Sequence, residues 1–194
     1  MPVELRKGQK ISLKKAGKAL GEILINLNWS QPPKRLFFAQ KSIDLDLGCL
    51  YELKDGRKGC VQALGNAFGS LDEAPYISLD GDDRTGEVQG GENLRVNGNR
   101  ISLIRRILIY TFIYEGVANW EQADGIVTIK CPGSDDLIVK MDEYSTRQRM
   151  CAIAMLENKD DETFEVEKLV RFFETHQPMD REYGWGMNWV PGRK

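Results

Sequence analysis

Ile43-Asp44-Leu45-Asp46-Leu47 alternates apolar and acidic side chains residue by residue. That period of two belongs to a β-strand: Ile43, Leu45 and Leu47 take one face, while Asp44 and Asp46 take the other with about 6.8 Å between them along the strand. Outward from this stretch, β-branched or aromatic runs recur at Ile107 to Tyr114, Ile126 to Ile129 and Leu137 to Met141. Turn chemistry separates them at Asp55-Gly56, Gly81-Asp82, Asn97-Gly98-Asn99, Asp124-Gly125 and Pro132-Gly133-Ser134. Many short strands joined this way predict an all-β sandwich or barrel. Two stretches invite a helix, Arg100 to Arg106 and Met179 to Trp185, and the first reads equally as the start of a strand. No long low-complexity linker divides the chain, so one domain over residues 1–194 is expected.

At 194 residues with 41% hydrophobic and 29% charged content, the composition is that of an ordinary globular protein. A net charge of −2 gives no basic footprint for nucleic acid. No apolar run approaches the roughly eighteen residues of a spanning helix, and Met1 to Lys7 lacks the apolar core of a secretion signal, so a cytoplasmic protein without direct membrane insertion is expected.

Cys49, Cys60, Cys131 and Cys151 have neither CxxC spacing nor the density of a disulfide scaffold. A two-residue turn at Asp55-Gly56 would set Tyr51 opposite Cys60. Cys49 would then lie diagonal to Cys60 at about 7–8 Å, too far for an unstrained disulfide. Reduced, mostly buried thiols are expected.

The acids carry the candidate chemistry. Asp is depleted from strands and like charges on one face repel, so Asp44 and Asp46 call for solvent, a basic neighbour or a cation. Downstream, Asp80-Gly81-Asp82-Asp83-Arg84-Thr85-Gly86-Glu87-Val88-Gln89-Gly90-Gly91-Glu92-Asn93 concentrates carboxylates among glycines. Ca²⁺ takes six to eight oxygen ligands, and glycines let a loop fold so that several converge. The loop departs from an EF-hand, since Arg84 and Thr85 occupy its centre and position twelve counted from Asp80 is Gly91. A site shared by loop and strand is the better reading, and an acidic solvated turn is its alternative.

Gly81-Asp82-Asp83-Arg84-Thr85-Gly86-Glu87, with Asp44-Leu45-Asp46 upstream, resembles the TerD family of bacterial tellurium-resistance and stress proteins. The opening Leu5 to Leu13 is similar to that family's N-terminal strand motif, Ile25 to Trp29 to its next strand, and Ile113-Tyr114-Glu115-Gly116 to a later strand end. Leu64 to Gly69 looks more like the TerA-related branch. The chain departs from the family pattern at Gln89 and Gly91, where further aspartates are common. The resemblance implies a cytoplasmic β-sandwich of two mainly antiparallel sheets with one or two short helices, binding Ca²⁺ without a catalytic reaction. It also implies a stress-response role with other tellurium-resistance proteins as partners. Carried over by position, the implied metal ligands are Asp44, Asp46, Asp80, Asp82, Asp83, Glu87, Glu92 and Glu115.

Two other classes compete. His176 has no nearby Ser or Cys nucleophile motif, Cys and His are not clustered for zinc, and no phosphate-cradling loop accompanies the acids, which leaves a carboxylate-held Mg²⁺ or Mn²⁺ hydrolase as the enzymatic alternative. A metal-free interaction scaffold would use Gly184 to Trp189 as its surface, although an aromatic tail more often closes a core.

Overall fold

The alternating segments assemble into two stacked sheets in the computed structural model, which describes residues 1–13, 19–30, 43–81, 91–115, 120–142 and 147–192. The first sheet runs β1 (Val3–Glu4), β11 (Leu137–Lys140), β10 (Ile126–Lys130), β3 (Glu22–Asn28), β8 (Glu92–Asn97), β7 (Ile77–Leu79), β6 (Gly69–Ser70). The second runs β2 (Lys10–Ser12), β13 (Thr163–Phe173), β12 (Met150–Lys159), β9 (Ile104–Glu115), β4 (Asp44–Leu53), β5 (Lys58–Gln62). The β1–β11 pair is parallel. The other pairs are antiparallel. The opening segment is therefore not one strand, since β1 and β2 belong to different sheets and the crossing passes through Gly8 at φ +72°.

Leu45, Leu47, Ile107, Ile109 and Ile113 face the first sheet, where Ile23, Ile25, Leu94 and Val127 complete a shared core. The even-numbered residues Leu50, Leu108, Tyr110 and Phe112 lie on the outer face with Met150, Met179 and Trp185. This outer cluster explains the continuous hydrophobic run of β9. Its strand is buried on both faces, so alternation gives way to an unbroken apolar stretch.

The cover for that outer face is α2 (His176–Tyr183) and the tail after it. The helix begins three residues before the expected Met179, because Pro178 sits in the first turn, where a missing N–H costs no intrahelical bond. It ends at Gly184 in the left-handed region, φ +65°, with Gly184 N–H donating to Arg181 O and Trp185 N–H to Asp180 O. A short helix, α1 (Trp120–Ala123), buries Trp120 in the shared core. Of the two readings of Arg100 to Arg106, each holds in part: Gly98–Leu103 forms a 3-10 turn and β9 starts at Ile104.

The β4–β5 hairpin differs from expectation by one residue. Leu50, not Tyr51, opposes Cys60, because Leu53 N–H closes on Arg57 O and three residues turn the corner, the last being Gly56 at φ +87°. A one-residue slip changes face. Cys49 consequently joins the core between the sheets while Cys60 packs against the outer cluster, and none of the four cysteines forms a disulfide.

Candidate functional site

Alternation turns Asp44 and Asp46 away from the core between the sheets, yet they are only 5% and 0% exposed. A solvated strand face is thus excluded for this pair. Asp44 stands opposite the exposed Glu115, and a register shift at Tyr114 bends β9 immediately beside them. Burying carboxylates is costly unless hydrogen bonds or opposite charge compensate.

Glu92, the first residue of β8, connects the other sheet to this strand. It is 2% exposed, and its Oε2 accepts from Leu47 N–H at 2.6 Å. The reason lies in the ladder. On β4 the N–H groups of odd-numbered residues point to the β5 side, as Leu53 does toward Arg57, but β5 ends at Gln62 opposite Gly48. Leu47 N–H lies one step beyond that end, and the Glu92 carboxylate fills the place of the missing strand. Opposite Leu47 in the β9 ladder, Thr111 buries a hydroxyl with no hydrogen-bond partner among the described residues. β4, β8 and β9 thus each bury side-chain oxygens, Asp46 on the outer face of β4 beside Phe112 and Thr111 on the inner face beside Leu47.

The acidic loop leaves β7 and returns to β8 beside this end. Its stems are paired through Asp80 N–H donating to Asn93 O at 3.0 Å. Gly91 has φ +66°, and a Cβ there would sit 2.0 Å from Leu27 O, so only glycine lets the returning stem press against β3. Asn26 Nδ2 bonds Asn93 Oδ1 at 2.9 Å on the same stem. Asp80, however, turns outward. Its carboxylate is forked by Arg95 at 2.6–2.8 Å, and Arg95 also meets Glu22 at 2.5 Å, which raises the guanidinium further above its usual value.

The structure therefore buries Asp44, Asp46 and Glu92, ties Glu92 to the backbone of β4, sets Glu115 opposite Asp44 and engages Asp80 with a guanidinium. Asp82, Asp83 and Glu87 lie outside the described residues. Among the described residues no three His, Cys, Asp or Glu side chains are arranged to hold a metal ion. Oxygen donors of this kind suit a hard cation.

Sequence reasoning missed a second polar assembly on the outer face. Tyr110 O–H donates to Gln62 Oε1 at 2.6 Å, and His176 Nε2 lies 3.0 Å from the same oxygen. The imidazole is enclosed by Tyr110, Phe112 and Trp189 at ring distances of 5.4, 5.3 and 4.7 Å. Burial pushes its pKa down to about 4 and raises that of Tyr110. Asp180 anchors the tail by accepting from Gly186 N–H, Met187 N–H and Trp189 Nε1–H at 2.6, 2.9 and 2.8 Å. Arg106, near the start of β9, stacks 3.8 Å over the Trp185 ring, bonds Glu52 and donates to Tyr183 O. No local motif announces the contacts of Gln62 with Tyr110 and His176, which join residues 48 and 114 positions apart.

Comparison with known proteins converges on one family. The TerD domain matches residues 1–131. The tellurium resistance protein TerA of Alcaligenes sp. is 43% identical over 193 residues, covering 96% of this chain but only 57% of that protein. The chain thus spans little more than half the length of this relative. A crystal structure of a homologue of the telluride resistance protein TerD from Streptomyces coelicolor A3(2) shares the fold at TM-score 0.61 and 19% identity, over 83% of this chain and 95% of that one. A crystal structure of a protein of unknown function superposes at TM-score 0.64 and 13% identity, over 88% of this chain and all of that one. With the sandwich, the acidic β4 strand and these matches in agreement, the chain belongs to the TerD-domain family, alongside the tellurium resistance protein TerA.

Proposed function

We propose that this protein is a non-catalytic calcium binder acting in the stress response of tellurium-resistance systems. The observation that supports it is the burial of three carboxylates, Asp44 and Asp46 from one sheet and Glu92 from the other. Three buried carboxylates bring negative charge that a divalent cation neutralises, and hard oxygen donors favour Ca²⁺. Asp44, Asp46 and Glu92 would hold the ion from the sandwich side, with Asp82, Asp83 and Glu87 from the loop. Glu115 at the rim is an outer candidate, and Asp80 serves the loop by anchoring its stem on Arg95 rather than by ligation. In this reading the protein acts in the cytoplasm with other tellurium-resistance proteins as partners.

Within the scaffold alternative's candidate surface, Trp185 is only 2% exposed and Met187 and Trp189 pack in part on the chain's own outer cluster, which favours the core reading of that segment. For an enzyme, the lone histidine is a poor base: it is partly buried, engaged with Gln62 and neutral near pH 7.

Isothermal titration of Ca²⁺ into chelator-stripped protein tests the reading, with Mg²⁺ and Asp82→Asn as controls. Saturable heat that is lost in Asp82→Asn is expected. An absence of saturable heat in the wild-type protein would overturn it.

A further inference from the structure

The outer-face assembly forms the floor of a cleft of about 300 Å³, independent of the cation reading. One wall is the 3-10 turn Leu64–Asn66, and the other is the tail around Trp189 and Pro191. The walls are held in place. Gln62 N–H donates to Ala67 O at 2.9 Å, Trp189 is tied to Asp180, and a Cβ on Gly192 would come within 3.1 Å of Leu64.

The floor has one oriented polar group. Gln62 is 5% exposed and lines the cleft, and its Oε1 is taken by the Tyr110 hydroxyl and His176 Nε2. The end of the amide left for the cleft is the Nε2 donor, which asks for an acceptor oxygen. Among the described residues lining the cleft there is no Asp, Glu, Lys or Arg. An ionic ligand would lose its hydration there without a counter-charge from these residues. Apolar side chains and the Trp189 indole instead match a flat hydrocarbon body, and the volume lies at the small end of ligand sites.

We propose that this cleft binds a small, uncharged, planar molecule whose carbonyl oxygen accepts a hydrogen bond from Gln62 Nε2. Trp189 forms the wall for the ring, and His176 and Tyr110 act as positioning residues by fixing which end of the amide faces inward.

Benzamide is the probe, with benzoate as the charged isostere and toluene as the body without an acceptor. Binding is read in ¹⁵N-labelled full-length protein from the Gln62 side-chain amide and Trp189 indole resonances. Benzamide is expected to shift both saturably, toluene to bind more weakly by about tenfold, and benzoate not to bind. Gln62→Glu keeps an oxygen for Tyr110 and His176 but removes the donor, and is expected to weaken benzamide by about tenfold. Ala67→Leu fills the cleft and is expected to abolish binding while the spectrum stays dispersed. No saturable shift with benzamide, equal binding of benzoate, or undiminished binding in a folded Ala67→Leu protein would each overturn the proposal.

Discussion

Tyr110 lies across Gly48, its neighbour in the β4–β9 ladder, so closely that a Cβ on Gly48 would stand 2.8 Å from Tyr110 Cε2. The missing side chain is what lets the phenol cross β4 and reach Gln62 on β5. One absent methyl group thereby positions the hydroxyl that orients Gln62 and, through it, His176 at the start of α2.

Gly48→Ala is expected to destabilise the protein by about 1–3 kcal/mol through overpacking against the fixed ring. Tyr110→Phe keeps the ring and removes one hydrogen bond, with an expected loss of about 1 kcal/mol. Urea denaturation of both variants measures the difference, and a Gly48→Ala protein as stable as wild type would contradict this account of the crossing.

The outer layer contributes to stability as a core does. Trp185→Ala is expected to cost about 3–5 kcal/mol, since the indole is buried beneath Arg106 and its Nε1–H bonds Tyr51 O at 3.0 Å. Arg106→Lys keeps the charge but loses the planar stack and fork, so a smaller loss of about 1–2 kcal/mol is expected. Thermal denaturation separates the two.

His176 makes stability depend on pH. Its folded pKa is about 4 against 6.5 for an unburied imidazole, so between these values the unfolded chain binds the proton and the folded chain does not. Stability from this group is complete above pH 6.5 and is lost as pH falls toward 4, by an amount on the order of 3 kcal/mol. His176→Phe removes that slope. Denaturation at pH 7 and pH 4.5 should show a smaller difference for the variant than for wild type.

The cation reading predicts a calcium-dependent melting temperature. At a free Ca²⁺ concentration 100 times the dissociation constant, the folded state gains about 2.7 kcal/mol, and a chelator removes that gain. Glu92→Gln keeps an acceptor for Leu47 N–H but removes the charge, so the calcium increment should shrink while the calcium-free melting temperature changes little. An increment equal to wild type would remove Glu92 from the ion shell.

Local chemistry made much of this protein legible. Alternation in Ile43 to Leu47, β-branched runs and glycine turns identified the strands, because side-chain period and turn dihedrals are properties of a few neighbouring residues. The family motif likewise sits in contiguous stretches. The Asp55-Gly56 hairpin failed by one residue because two- and three-residue turns both accept Asp-Gly, and the choice rests on closure between Leu53 and Arg57. Burial of Asp44 and Asp46 was not readable from their spacing, since the same alternation serves a solvated face; the bend in β9 and the neighbouring layers decide it. The meeting of Glu92 with Leu47, 45 residues apart, and of His176 with Gln62, 114 residues apart, belongs to tertiary structure alone. Such contacts come from the order in which strands pair and from where β5 stops, and those depend on packing the whole chain at once rather than on the preferences of any one segment.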